Sequence, residues 1–137
     1  MKKQYLGSCA CGAIQFEVQL DLSHDSTTTS TRCNCRWCTK VRYWGLITSP
    51  LDFRLLKGES DLGDYSKYEA GHHRFCKHCG TQTFGHGHLP ELGGDFCSVH
   101  LACLDGLTPE ERAQIPIQYL DGLQDLWWQP PAITAYL

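Results

Sequence analysis

Cysteine spacing constrains this chain more than any other feature. Seven of its nine cysteines fall into three short clusters, which are Cys9/Cys11, Cys33/Cys35/Cys38 and Cys76/Cys79. Cysteines two or three residues apart suit one tetrahedral metal ion far better than a disulfide, and zinc is the usual occupant of such sites. The sequence therefore predicts a fold that is built around bound metal.

The first and third clusters share one design. In each, a cysteine pair is followed at once by a glycine, Gly12 or Gly80, and glycine readily adopts the positive φ that a tight turn needs. We assign four thiols to one structural zinc, namely Cys9, Cys11, Cys76 and Cys79. The residues alone leave other pairings of the clusters open.

The middle cluster supplies three thiols, Cys33, Cys35 and Cys38. Three thiolates fill three corners of a tetrahedral zinc and leave the fourth to water or substrate, as in catalytic zinc sites. A thiol that enters this corner binds as its thiolate, so its pKa falls. We therefore predict Zn²⁺ at two sites per chain, with the three-thiolate site losing its metal more readily.

Cations surround the middle cluster, and no acidic residue lies between Asp25 and Asp52. Positive side chains would attract an anionic thiol, and an exposed aromatic ring could contact it. The predicted substrate-binding residues are Arg36, Trp37, Lys40 and Arg42. The alternative is that the cations offset thiolate charge or face solvent, and that the tryptophan packs.

Chain length, cysteine count and net charge restrict the classes of protein to which this chain can belong. The length suits one domain, which we expect to span residues 1–137. An odd number of cysteines excludes a complete disulfide framework. Neither a signal peptide nor a membrane-length apolar run is visible, so we expect a cytoplasmic protein. The net charge of −3 argues against nucleic-acid binding.

Apolar alternation predicts a mainly all-β fold. Ile14, Phe16, Val18 and Leu20 alternate with polar residues, which is the period of a half-buried strand. Further short strands are predicted at 43–48, 53–56, 81–84 and 96–104. The Ser/Thr run at 26–31 fits a strand or a loop, and only Thr108–Arg112 has the capping residues of a helix. We expect antiparallel sheets joined by zinc knuckles on hairpin turns, with at most one or two short helices.

These clusters resemble the glutathione-dependent formaldehyde-activating enzyme family, which includes centromere-protein-V-like proteins. The resemblance spans nearly the whole chain and rests on Gly7-Ser8-Cys9-Ala10-Cys11-Gly12, Cys33-x-Cys35-x-x-Cys38, Arg74-Phe75-Cys76-x-x-Cys79-Gly80-Thr81 and Asp121-Gly122-Leu123-Gln124-Asp125-Leu126-Trp127. It implies a zinc-stapled β fold. It also implies that the first and third clusters share the structural metal and that the middle cluster holds the catalytic one.

The resemblance further implies carbon–sulfur lyase activity, in which the thiol of glutathione adds reversibly to formaldehyde and gives S-hydroxymethylglutathione. Its partners would be a glutathione-like thiol and a small aldehyde. Two features depart from the family: Asn34 stands where a histidine is frequent, and the segment 85–91 has no clear counterpart. The true thiol, the true carbonyl and the oligomeric state, a homo-oligomer included, stay open.

Other readings of the chain compete with catalysis. His86 and His88 share one face of a strand and could serve as a zinc ligand or base, or simply face solvent. Cys97 and Cys103 are predicted to be core thiols, although a methionine-sulfoxide reductase would use one of them as its reactive cysteine. The main alternative to an enzyme is a non-catalytic zinc-binding module that mediates protein interaction.

Overall fold

The computed structural model describes residues 1–66 and 71–137, whose strands form two sheets. The smaller sheet has the strand order β1–β2–β5, with β1 (Lys3–Ser8), β2 (Gln15–Leu20) and β5 (Phe53–Lys57). The larger sheet contains β3 (Ser30–Cys33), β4 (Gly45–Thr48), β6 (Leu62–Tyr65), β7 (Gly71–Cys76), β8 (Gln82–Leu89), β9 (Gly94–His100) and β10 (Ile117–Leu120). Its order is β10–β3–β4–β9–β8–β7–β6. The mainly β fold is thus confirmed.

Strand pairing is antiparallel except at one edge, where β10 runs parallel to β3. The expectation of purely antiparallel sheets is therefore wrong there, because the chain crosses over before it returns as β10. Two short helices occur in the described residues, α1 (Arg36–Val41) and α2 (Pro109–Ala113). Thr108 caps α2 in a capping box, as its sequence predicts. The sequence analysis did not predict helix α1, because the closely spaced cysteines mask the residue periodicity that would indicate a helix.

The core lies between the two sheets. Phe16, Val18 and Leu20 point inward from β2 and are buried, so the alternation in the sequence is confirmed. Phe16 contacts Phe53 and Phe84, with ring centroids 5.4 and 6.2 Å apart. Burying each such side chain contributes about 1.5–3 kcal/mol, and the Phe16–Phe84 contact connects the two sheets.

One predicted strand is shorter than expected, and the structure decides the conformation of the Ser/Thr run and the exposure of two tryptophans. The strand predicted for 96–104 ends at His100, and Leu101–Cys103 form a 3-10 turn. Cys97 and Cys103 are nonetheless buried, as expected of core thiols. The run 26–31 is a loop until β3 begins. Trp128 is 71% exposed and the neighbouring Trp127 48%, so neither ring is a core residue. No helix in the described part of the chain is long and apolar enough to cross a membrane.

Candidate metal centres

Two hairpin turns bring four cysteines together. Cys9 and Cys11 lie in the turn between β1 and β2, whereas Cys76 ends β7 and Cys79 lies in the turn between β7 and β8. Their four sulfur atoms all lie within 4.8 Å of one another. Because the hairpins belong to different sheets, this cluster joins the two sheets at a second place, beside the hydrophobic core.

The four-thiol cluster fits a tetrahedral ion. The Cys11 sulfur lies 3.7 Å from both the Cys9 and the Cys76 sulfurs. Zinc–sulfur bonds of about 2.3 Å at tetrahedral angles place two sulfurs roughly 3.8 Å apart. The Thr81 hydroxyl lies 3.1 Å from the Cys79 sulfur, and its hydrogen bond lowers the pKa of Cys79 to about 5. The donor set and spacing therefore fit zinc.

The middle cluster forms where β3 turns into α1. Cys33 ends β3, and the Cys35 sulfur caps α1 by accepting a hydrogen bond from the Cys38 amide at 3.4 Å. The Cys35 amide donates to the Cys33 sulfur at 3.3 Å. Amide donors of this kind stabilise thiolates. The cap also explains why a helix begins inside the cysteine motif.

The middle cluster has three ligand atoms and no more. The sulfurs of Cys33, Cys35 and Cys38 lie within 4.8 Å of one another, and no fourth Cys, His, Asp or Glu in residues 1–66 or 71–137 joins them. In the metal-free protein, hydrogen bonds from Cys33 and Cys38 lower the pKa of Cys35. Three sulfurs fit a zinc ion that keeps one position for another ligand.

Asn34 fixes this cluster to the C-terminal segment. Its side chain is 5% exposed and donates to the Asp121 carboxylate at 3.0 Å. Its carbonyl oxygen accepts from the Leu123 amide at 3.0 Å. Gly122 lies so close that a Cβ there would come within 2.5 Å of the Cys33 sulfur. The sequence analysis identified Asn34 only as a departure from the family; the structure gives it two hydrogen-bond partners, of which Asp121 is buried.

The predicted substrate-binding cations differ in position. Arg42 lines a small recess beside Cys33 and Cys38, together with Arg32. Arg36 and Lys40 are exposed on α1, and neither forms an ion pair within the described residues. Arg42 ends the helix in the left-handed region, at φ 53°, where an L-residue other than glycine is strained.

Trp37 packs on a histidine that the sequence analysis did not associate with this cluster. Its ring stacks on His73 of β7 at a centroid distance of 3.6 Å and contacts Tyr43 at 5.3 Å. Burial lowers the pKa of His73, and the charge of Cys35 raises it. Because burial is the larger effect, His73 favours its neutral form, and its stacking on Trp37 places it beside helix α1. In the sequence, His73 lies near the third cluster, but strand β7 places it beside α1. No local sequence pattern indicates this contact.

His86 and His88 join neither cysteine cluster. Both are exposed on β8, as the alternative interpretation expected. His88 nevertheless has a carboxylate partner that the sequence did not reveal, because its Nδ1 lies 2.7 Å from Asp95 on β9. His86 stacks on His72 of β7, with centroids 4.9 Å apart.

Comparison with known proteins gives a family match and structural matches. The family model described as "Glutathione-dependent formaldehyde-activating enzyme" matches residues 4–119, a range that includes all three cysteine clusters. A crystal structure of a Rhodobacter sphaeroides protein, a structural-genomics target, is 25% identical with a TM-score of 0.65. That match covers 82% of this chain and 99% of the other, so the two proteins share a fold.

Proposed function

Since this chain belongs to the glutathione-dependent formaldehyde-activating enzyme family, we propose that it is a zinc-dependent carbon–sulfur lyase. It would add a glutathione-like thiol to formaldehyde or a related small carbonyl and form an S-hydroxymethyl adduct. The observation that carries the proposal is the three-thiol cluster of Cys33, Cys35 and Cys38, which lacks a fourth protein ligand in the described residues. The whole chain, 1–137, would act as one zinc-binding domain.

Both clusters would hold zinc, with different duties. The four-thiol cluster has no open position, so its metal would stabilise the fold by joining two hairpins. A zinc ion at the middle cluster would act as a Lewis acid and lower the pKa of an incoming thiol. This division of duties rests on the ligand count of each cluster.

Residues around the middle cluster would bind and orient the thiol. Arg42 lies in the recess beside Cys33 and Cys38, so its guanidinium is placed to pair with a carboxylate of a peptide-like thiol. Arg36 and Lys40 would extend the positive field from the exposed side of α1. Trp37, held flat against His73, would form an apolar wall for the same ligand.

The proton of the thiol needs an acceptor. His73 is suited to this role, because burial favours its neutral form and its ring stacks on Trp37, which lies between Cys35 and Cys38 in the sequence. The sulfur then forms a bond to the carbonyl carbon, and the carbonyl oxygen gains a proton to become the hydroxymethyl group. No bond of the thiol donor other than S–H breaks.

The test is NMR exchange spectroscopy on glutathione and formaldehyde, which react measurably without help. We expect wild type to accelerate exchange over that background, and Cys35→Ser to return it to the background while the protein stays folded. Cys97→Ala, which removes a thiol outside both clusters, should keep the acceleration. Exchange no faster with wild type than with Cys35→Ser would refute the assignment and favour the non-catalytic zinc module.

Whether the positively charged side chains bind the thiol substrate is tested separately, by titrating glutathione into the protein. A partly desolvated contact to a charged group is worth about 1.5–3 kcal/mol, which is one to two decades in affinity. Arg42→Ala and Arg36→Ala should each weaken binding, with the larger loss at Arg42, because of these two arginines only Arg42 lines the recess. Wild-type affinity in either variant would remove that arginine from the substrate site.

A further inference from the structure

A groove that the proposed reaction does not use lies along β8. Its volume is about 510 Å³. It is lined by imidazole rings, a carboxylate and apolar side chains, among them Phe53, His72, Phe84, His86, His88 and Asp95. His72 and His73 are neighbours in β7 and so point to opposite faces of the sheet. Since His73 stacks on Trp37 of α1, the groove lies on the face opposite the middle cluster.

Two histidines in this groove face each other across adjacent strands. His72 of β7 is the direct register partner of His86 of β8. Their rings lie 4.9 Å apart between centroids and are inclined by only 17°. Both rings line the groove and are accessible from solvent, so an ion could reach them without any opening of the fold.

A carboxylate orients the first of the two rings. His72 Nδ1 lies 2.9 Å from the Asp64 carboxylate on β6. A carboxylate accepts and cannot donate, so in the neutral ring this contact places the His72 proton on Nδ1 and leaves the lone pair on Nε2. Metal-binding histidines commonly have this arrangement, in which a carboxylate fixes the tautomer and raises the basicity of the other nitrogen.

We propose that His72 and His86 form a third metal site, which binds a divalent transition-metal ion of the kind that prefers imidazole. Such ions include Zn²⁺, Ni²⁺ and Cu²⁺, with water completing the coordination. Two imidazole nitrogens about 2.0–2.1 Å from one ion lie roughly 3 Å apart. The two ring centroids already lie 4.9 Å apart, and a rotation of the exposed His86 side chain would be needed to point its nitrogen at the same ion, because nearly parallel rings do not direct their lone pairs at one atom.

The protonation state of the second ring agrees with this site. Burial lowers the pKa of His86, and the nearby His72 and Arg74 lower it further. The imidazole therefore offers a lone pair at neutral pH. The site would differ in kind from the cysteine clusters, since it contains no sulfur ligand and its ion would exchange with the solution.

The experiment uses protein whose cysteine clusters are fully loaded with zinc. Ni²⁺ is titrated by calorimetry, imidazole signals are followed by NMR, and zinc content is measured before and after. We expect one equivalent of Ni²⁺ to bind without releasing zinc and to perturb the signals of His72 and His86. His86→Ala should weaken binding at least tenfold, and Asp64→Ala should weaken it about 10–100-fold by removing the orienting carboxylate.

His88→Ala is the matched control. His88 lies on the same strand, lines the same groove and has its own carboxylate partner, Asp95, but it does not face His72 in the register. It should keep wild-type affinity for Ni²⁺. The proposal is overturned if Ni²⁺ binds only by displacing zinc, if His86→Ala binds as wild type does, or if His88→Ala loses the ion as completely as His86→Ala.

Discussion

Replacing Asn34 with alanine should destabilise the protein although Asn34 is not itself a metal ligand. The change removes two side-chain hydrogen bonds, one to the Asp121 carboxylate and one from the Leu123 amide, each at 3.0 Å. Asp121 is 5% exposed, as is Asn34 itself, so water cannot readily take the place of the lost donor. The segment after β10 would then lose its attachment beside Cys33.

The expected cost follows from these two contacts. A hydrogen bond to a charged group contributes about 1.5–3 kcal/mol, and one between neutral groups contributes about 0.5–1.5 kcal/mol. Asn34→Ala should therefore lower the free energy of unfolding by about 2–4 kcal/mol. That is a large share of the roughly 5–15 kcal/mol that stabilises an ordinary domain.

The assay is urea unfolding of zinc-loaded protein in a double-mutant cycle with Asp121→Ala. The two substitutions should couple by about 1.5–3 kcal/mol, because each removes the same charge-assisted bond. Ser8→Ala is a control that deletes a hydrogen bond to the Asp105 carboxylate at the surface. Water can replace the lost hydroxyl there, so the substitution should cost less than about 1 kcal/mol. A cost for Asn34→Ala no larger than that of Ser8→Ala, or full additivity with Asp121→Ala, would refute the reasoning.

Other predictions concern the metal clusters, the helix end and pH. Cys76→Ser should give unfolded or insoluble protein, whereas Cys35→Ser stays soluble and loses metal only from the middle cluster; a folded Cys76→Ser variant with normal zinc content would contradict the structural role. Arg42→Gly should raise the free energy of unfolding by about 1 kcal/mol, since the left-handed backbone at φ 53° then carries no side-chain strain, while glutathione affinity falls; unchanged stability in urea unfolding would argue against strain. Burial lowers the pKa of His100, so its NMR titration midpoint should lie below the unperturbed value of about 6.5. Because the unfolded chain binds a proton at His100 more readily than the folded protein does, His100 should lower the free energy of unfolding as the pH falls below about 6.5. A midpoint at or above the unperturbed value would contradict this.

Local sequence determined much of this protein. The cysteine spacing indicated the ligand type, because a knuckle needs its thiols within a few residues, and the structure brings both predicted sets of sulfurs together. The alternation in β2 predicted which residues enter the core, since side chains in a strand alternate between faces. The capping residues predicted α2. Each of these patterns can be recognised within about ten consecutive residues.

The tertiary structure decided how distant segments meet. The residues alone left the pairing of the first and third clusters open, and the positions of the two hairpins resolve it. Nothing local indicates that His73 stacks on Trp37, that Asn34 binds Asp121, or that His72 faces His86. These contacts depend on strand order and register, which are set by the packing of the two sheets as a whole. Sequence periodicity determines which face a side chain takes, and only the assembled sheet determines what lies opposite it.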